Sequence, residues 1–350
     1  MKTSFISNYS LSATLRNSVA KARDNLADAT KEATTMRHAD IGLTLGGSTG
    51  KTVGLRDQQN RLNGIIDTNA LVSSRLEVTQ KALDGLRDTA EKFLATLIGV
   101  RDGDKGADAL KSEAKNNLQA TTAALNSSAS GQFIFAGINT QQQPMTDYFG
   151  TPPSGNKTAL DAAFLAHFTI TQNDPAVANI TQAAMEDFLQ NVLPTQFADP
   201  AWGANWSSAF DQNMTSRISL SEVVDVSTNA NTQAMRDLTM AYTLAYDLGT
   251  ENLNTNAFRA VVDASIDSIN KAILGITATQ AQLGSVEERV RVSSERLTIQ
   301  RDIMIKQIKA FEGVDPYEAN VRVTDLTTQL DTAYALTVRI QQLNILKFMS

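Results

Sequence analysis

The chain has 350 residues, 31 basic and 37 acidic, for a formal charge of −6, with two histidines, seven prolines and no cysteine. The missing thiols exclude disulfide frameworks, thiolate metal sites and cysteine nucleophiles, and leave the redox compartment open. The acidic balance argues against a nucleic-acid binder that works by neutralising phosphates, and no apolar run approaches the roughly 18 residues that a membrane helix needs.

The first residues, MKTSFISNYSLSATLRNS, have no continuous apolar core and do not read as a cleaved secretory signal. Leu15, Val19, Ala22, Leu26, Ala29, Ala33 and Met36 then alternate spacings of four and three, which predicts an amphipathic helix. Beyond it stands Leu45-Gly46-Gly47-Ser48-Thr49-Gly50-Lys51-Thr52. A phosphate loop needs a glycine, four residues and then Gly-Lys-Ser/Thr, so that backbone amides wrap the phosphates. Here Leu45 occupies the place of the first glycine. Residues 41–45 could form the strand such a loop follows, yet a helical seam precedes them and no βαβ alternation comes after. Nucleotide binding through Lys51 is a distant alternative to a flexible glycine-rich bend between helices.

From Leu62, positions 65, 69, 72, 76, 79, 83, 86, 90, 93 and 97 keep the same alternation, interrupted only by Asn69 and Thr79. Residues 132–229 break the pattern. They hold six of the seven prolines, both tryptophans, eleven of the 21 aromatic residues, and nine acidic residues against two basic. Proline costs a helix interior roughly 3 kcal/mol, so the flanks are free to form long helices and this stretch is not. It reads as a compact insert of α+β type, with strands at 133–138 and 168–171 and helices at 159–167 and 176–192. Trp202 and Trp206 fit its core better than a carbohydrate or partner platform.

The second flank is stricter. Val262, Ile269, Ile276, Leu283, Val290, Leu297, Met304 and Phe311 lie seven apart, and the companion line at 266, 273, 280, 287, 294, 301 and 308 is apolar only towards its ends, so the seam should be narrow. As one helix, 262–311 extends about 75 Å, longer than the roughly 50 Å diameter of a compact chain of this length. An elongated molecule is expected unless Gly275 or Gly284 breaks the helix. Asp315-Pro316-Tyr317-Glu318 has the pattern of a capped helix start. Val323, Leu326, Leu330, Ala333, Tyr334 and Ile340 follow, and the end is apolar on most sides through Leu343, Ile345, Leu346 and Phe348. An end of that composition needs a cover, from the chain's own core or from another subunit.

His38 and His167 are single and far apart, and Glu186-Asp187 and Glu287-Glu288 read as solvated helix faces. No nucleophile, base and orienting group come together in the sequence, so nothing points to an enzyme, a cofactor or a metal.

Three segments carry a resemblance: FISNYSL (5–11) leading into the first seam, DPYEANVRVTDLTTQL (315–330) running to NILKFM (344–349), and GQFIFAGINT (131–140). The chain resembles the flagellin family, and within it the hook–filament junction branch. Where flagellins carry L-S-S-G-x-R-I-N-x-x-x-D-D, residues 30–46 read TKEATTMRHADIGLTLG, which favours that branch over the filament subunit.

The resemblance implies a mainly α fold: a long antiparallel helical rod, terminal helices paired as a coiled coil, and a small α+β domain inserted between the flanks. It places terminal assembly segments at 1–45 and 313–350, the rod at 46–131 and 230–312, and the outer domain at 132–229. Leu15, Val19, Leu26, Leu326, Leu330, Tyr334, Ile340 and Leu343 are then the expected assembly interface. The implied partners are neighbouring copies in a ring, other hook-associated proteins and flagellin, and a flagellar type III export apparatus with a dedicated export chaperone. Nucleic acid and membrane insertion play no part, and the protein is expected outside the cell without a cleaved signal peptide. The filament subunit is the alternative with the same fold.

Overall fold

The computed structural model describes residues 8–101 and 106–348, with side chains over 13–101 and 106–339. In chain order the elements are α1 (Asn8–Thr35), α2 (Ile41–Leu45), α3 (Thr49–Val100), α4 (Ala107–Leu125), β1 (Ser128–Ala129), β2 (Gln132–Phe133), α5 (Gly155–Phe168), α6 (Gln182–Asp187), α7 (Leu193–Phe197), β3 (Thr215–Arg217), β4 (Val223–Asp225), α8 (Gln233–Asp247), α9 (Thr255–Glu312) and α10 (Pro316–Phe348). The fold is mainly α, and the described strands form two separate two-stranded hairpins. Contacts divide the chain into two units, Ile65–Arg296 and the residues on either side of it.

Within Ile65–Arg296, α3 and α9 run antiparallel. Asn69 donates to Ser294 at 3.1 Å, Gln80 to the Gln280 carbonyl at 3.0 Å, and Arg101 pairs with Asp263. The α3 seam holds as read from the sequence: Leu76, Leu83, Ala90, Phe93 and Leu97 are fully enclosed. Asn69 and Thr79 continue it rather than interrupt it. Thr79 satisfies its hydroxyl on the Arg75 carbonyl, and Asn69 donates to the Ile218 carbonyl at 3.0 Å, where the insert's β3–β4 hairpin meets the rod.

On α9 the seven-residue line is buried from Val262 to Leu297, while Met304 is half-buried and Phe311 is 37% exposed. Its buried companion line is not the expected one. Ser265, Ala272, Val286 and Ser293 are enclosed, three residues on from the line, whereas 266, 273 and 280 are half-buried. Small residues there let neighbouring backbones approach. Gly275 does not break the helix; a Cβ at that position would lie 2.7 Å from the Ala234 Cβ on α8.

One core cluster takes in residues of α3, α4, α8 and α9 together with Phe135, Tyr148, Phe164 and Trp202 from 132–229. Phe93 on α3 meets Tyr242 on α8 edge-on, with ring centroids 5.0 Å apart. Trp202 and Trp206 are core residues, as expected: they stack at 5.9 Å, Trp206 stacks on Tyr148 at 5.3 Å, and Trp202 Nε1 donates to Asn231. Segment 131–140 stitches the insert together. Ile134 and Phe135 are enclosed, the Phe135 carbonyl accepts from the Ala230 amide, and Ile138 donates to the Gln212 carbonyl. Gly137, at φ +66°, passes so close to the chain that a Cβ would sit 2.2 Å from the Phe210 carbonyl.

Several local expectations are corrected. The strand expected at 133–138 is two residues long, Gln132–Phe133, because its partner Ser128–Ala129 is only two residues long and the chain bends at Ile134 and Phe135. No strand forms at 168–171: α5 runs through Phe168 and closes on Thr169 in the left-handed conformation. The single helix expected at 176–192 is a 3-10 turn (Pro175–Asn179), α6 and a π-helical turn (Phe188–Val192). Helix 159–167 is present within α5.

Candidate assembly surface at the paired chain ends

The unit on either side of Ile65–Arg296 contains α1, α2, the start of α3, the end of α9, and α10. Helix α1 packs along α10. The chain leaves α1 and enters α10 at the same end of the pair, so the two run antiparallel. Leu15, Val19, Ala22 and Leu26 on α1 are half-buried, with Ala29 enclosed at 2% exposure. On α10 the half-buried line is Val323, Leu326, Leu330, Ala333 and Thr337. The pair therefore brings together five of the eight residues expected at the interface. Tyr334 lies off this line and is 44% exposed, while Ile340 and Leu343 fall outside the residues whose side chains are described.

One helix covers only one stripe of its neighbour. Several apolar residues of α10 off this line stay open: Tyr317 is 80% exposed, and Val321, Leu336 and Val338 are between 42% and 52%. Val53 on α3 and Ile299 and Ile303 near the end of α9 are likewise exposed.

The two connectors join in a charged knot. Arg37 and Gly313 form an antiparallel bridge, with Val314 donating to the Met36 carbonyl at 3.2 Å and His38 to the Glu312 carbonyl at 2.9 Å. Met36 is left-handed at φ +55°. The Glu312 carboxylate, 1% exposed, accepts from Arg37 and, in a forked pair, from Arg56 on α3. Glu32 on α1 accepts from Arg322 on α10 at 2.8 Å and from the Ala39 amide at 3.1 Å, with His38 Nδ1 3.7 Å away. Asp315 caps α10 as the sequence predicts, its Oδ1 accepting from Tyr317 at 2.8 Å. Glu318, expected to complete a reciprocal cap, pairs with Arg322 instead.

Sequence reasoning missed Glu312, though one signal was present. A carboxylate in the last turn of a helix opposes the helix dipole, so an acid ending α9 just before Gly313 needs cations from elsewhere. Which arginines supply them depends on tertiary structure.

The other candidates resolve locally. Residues 41–45 are a capped helix, not a strand, with Asp40 accepting from Leu43; a 3-10 turn follows, and α3 starts at Thr49. The phosphate-loop reading thus loses its strand. His167 Nε2 lies 3.7 Å from Asp187, and Glu288 is paired with Arg291. Among the described residues, no three His, Cys, Asp or Glu side chains cluster to hold a metal, and no helix is long and apolar enough to cross a membrane.

A recess of about 230 Å³ lies over a charge cluster. Tyr148 donates to Asp247 at 2.6 Å, and Lys157 bridges Asp247 and Asp161. Burial pushes the Asp247 carboxyl up, with Lys157 and the tyrosine opposing the shift, and burial also holds the Tyr148 hydroxyl well above its ordinary value. Both aspartates are held by Lys157, so the cluster reads as the polar seat of α5 on α8.

The bacterial flagellin N-terminal helical region matches residues 6–140, and the flagellin C-terminal helical region matches residues 266–349. Among solved structures, a chain from Vibrio parahaemolyticus, described provisionally as a flagellar hook-associated protein, aligns with a TM-score of 0.53 at 12% identity, over 76% of this chain and 97% of that one. At that identity the likeness is one of fold. No curated protein sequence matches. Paired terminal helices and long rod helices, under matches that reach both chain ends, define a structural component of the flagellum. The chain belongs to the flagellin family.

Proposed function

We propose that this protein joins hook to filament, forming a ring of copies through its paired terminal helices. What supports the assembly role is the terminal seam: half-buried along Leu15, Val19, Leu26, Leu326 and Leu330, with apolar residues left open on the outer faces of the same unit. What favours a junction subunit over a filament subunit is the 30–46 stretch, which departs from the flagellin pattern and supplies Glu32, Arg37 and His38 to the knot between the connectors. Tyr334, Ile340 and Leu343 complete the proposed interface. The neighbours in the ring are copies of this chain, flanked by other hook-associated proteins and flagellin. Export runs through the flagellar type III apparatus with a dedicated chaperone and without signal cleavage, and no catalytic step is involved.

Electron microscopy of flagella from a deletion strain tests this reading. Intact hooks that lack filaments are expected; hooks carrying ordinary filaments overturn it. Purified protein should stop at short rings, and long tubes grown from it alone would make it a filament subunit.

A further inference from the structure

The knot between the connectors draws on every long helix of its unit. Glu32 comes from α1, Arg56 from α3, Glu312 from α9 and Arg322 from α10, while Arg37 and His38 lie in the connector that follows α1. Glu312 is the residue on which the two sides depend together. It is nearly inaccessible, it sits where the α9 dipole is unfavourable to it, and its compensation is divided. Arg56 lies on α3, whereas Arg37 lies in the connector that follows α1 and bridges Gly313. Backbone hydrogen bonds tie the same two connectors at Met36–Val314 and His38–Glu312. Removing one partner from a buried ion pair leaves a charge that the interior tolerates poorly.

We propose that Glu312 is a positioning residue that couples order in the terminal pair to order at the rod ends. When α1 and α10 are ordered, Arg37 completes the compensation of Glu312 and the last turns of α9 and first turns of α3 are held. When the pair melts, Arg37 leaves, and those turns loosen. Coupling is reciprocal, so loosening the knot weakens ordering of the pair by the same factor. The inference rests on the proposed assembly through the chain ends, and gives that assembly a way of being felt in the rod.

Hydrogen exchange on the full chain tests it, read at the amides of residues 306–312 and 52–58, in dilute solution and after assembly. Leu326→Asp melts the seam. In the native background it should speed exchange at these amides about 5- to 10-fold, and in an Arg37→Gln background by less than about 2-fold, because the link is already cut. Arg37→Gln should also raise the concentration needed for assembly by a similar factor, with helicity unchanged. Arg37 is the safer variant because its side chain is partly exposed and Arg56 stays on Glu312; Glu312→Gln is the second, expected to behave likewise. Equal acceleration in both backgrounds, or none in either, overturns the coupling. Normal assembly of Leu326→Asp would instead overturn assembly through the ends, whatever the exchange shows.

Discussion

Two regions of this molecule use the same three-and-four spacing of apolar residues and reach different degrees of burial. Along α3 in Ile65–Arg296, Leu76, Leu83, Phe93 and Leu97 have no accessible surface. Along α1 and α10, Leu15, Leu26, Leu326 and Leu330 are only half-buried, and among the described side chains the enclosed apolar residues are alanines, Ala29 and Ala319. Periodicity locates the face of a helix that seeks cover. How much cover it finds depends on the number of layers. The α3 face shares one core with α4, α8, α9 and residues of 132–229, whereas α1 packs mainly along α10. The first region closes its core within one chain, and the second stays partly open, as the proposed assembly requires.

The largest expected effect falls where burial is complete. Trp202→Ala removes a stacked ring and its hydrogen bond to Asn231, and should cost about 3–5 kcal/mol in chemical or thermal unfolding of the monomer. A loss below about 1 kcal/mol would show that the insert core is not shared with the rod. Next come matched truncations. Leu83→Ala should cost about 2–5 kcal/mol, and Leu330→Ala about 1 kcal/mol, in proportion to the area it hides. Yet Leu330→Ala should be the more damaging of the two for assembly, measured by sedimentation. Equal costs in the monomer would abolish the distinction between the regions.

The smallest effect is a pH slope. Burial raises the Asp237 carboxyl above its ordinary value, against a hydrogen bond from Gln233 and the charge of Lys271. Its folded state therefore holds the proton more tightly than the unfolded chain. The associated stability is full below the unfolded value and is lost as pH rises through the folded one. Asp237→Asn should flatten this slope, comparing more favourably with the native chain at pH 7 than at pH 3. An unchanged pH profile would mean that Asp237 is better solvated than its burial implies.

Much of this architecture was legible in the residues. The α3 seam, the seven-residue line of α9, the tryptophan core and the Asp315 cap follow from spacing and local hydrogen-bonding chemistry. The errors have physical causes. The β3–β4 hairpin reads as a polar Ser- and Thr-containing stretch because only Val224 of its strands is fully buried, so no alternation announced it. The second line of α9 lies one residue away from the expected one because serines and alanines carry no apolar signal even where they permit the closest packing. Of the site, the seam was visible as a period. The knot at Glu312 was not, since Arg37, Arg56 and Glu312 are far apart in the chain and meet only through the fold.

Asn69 also settles a question of register. The α9 ladder repeats every seven residues from Val262 to Phe311, so sliding α3 along it by one rung, about 10 Å, would again set apolar residues against apolar residues. A ladder of like rungs has no address. Asn69 supplies one: its amide finds Ser294 and the Ile218 carbonyl in a single alignment, and a slip of seven residues would set it beside Glu287 or Arg301 and take it away from the Ile218 carbonyl. The residue that looked like a gap in the seam is the mark by which the two longest helices find their place.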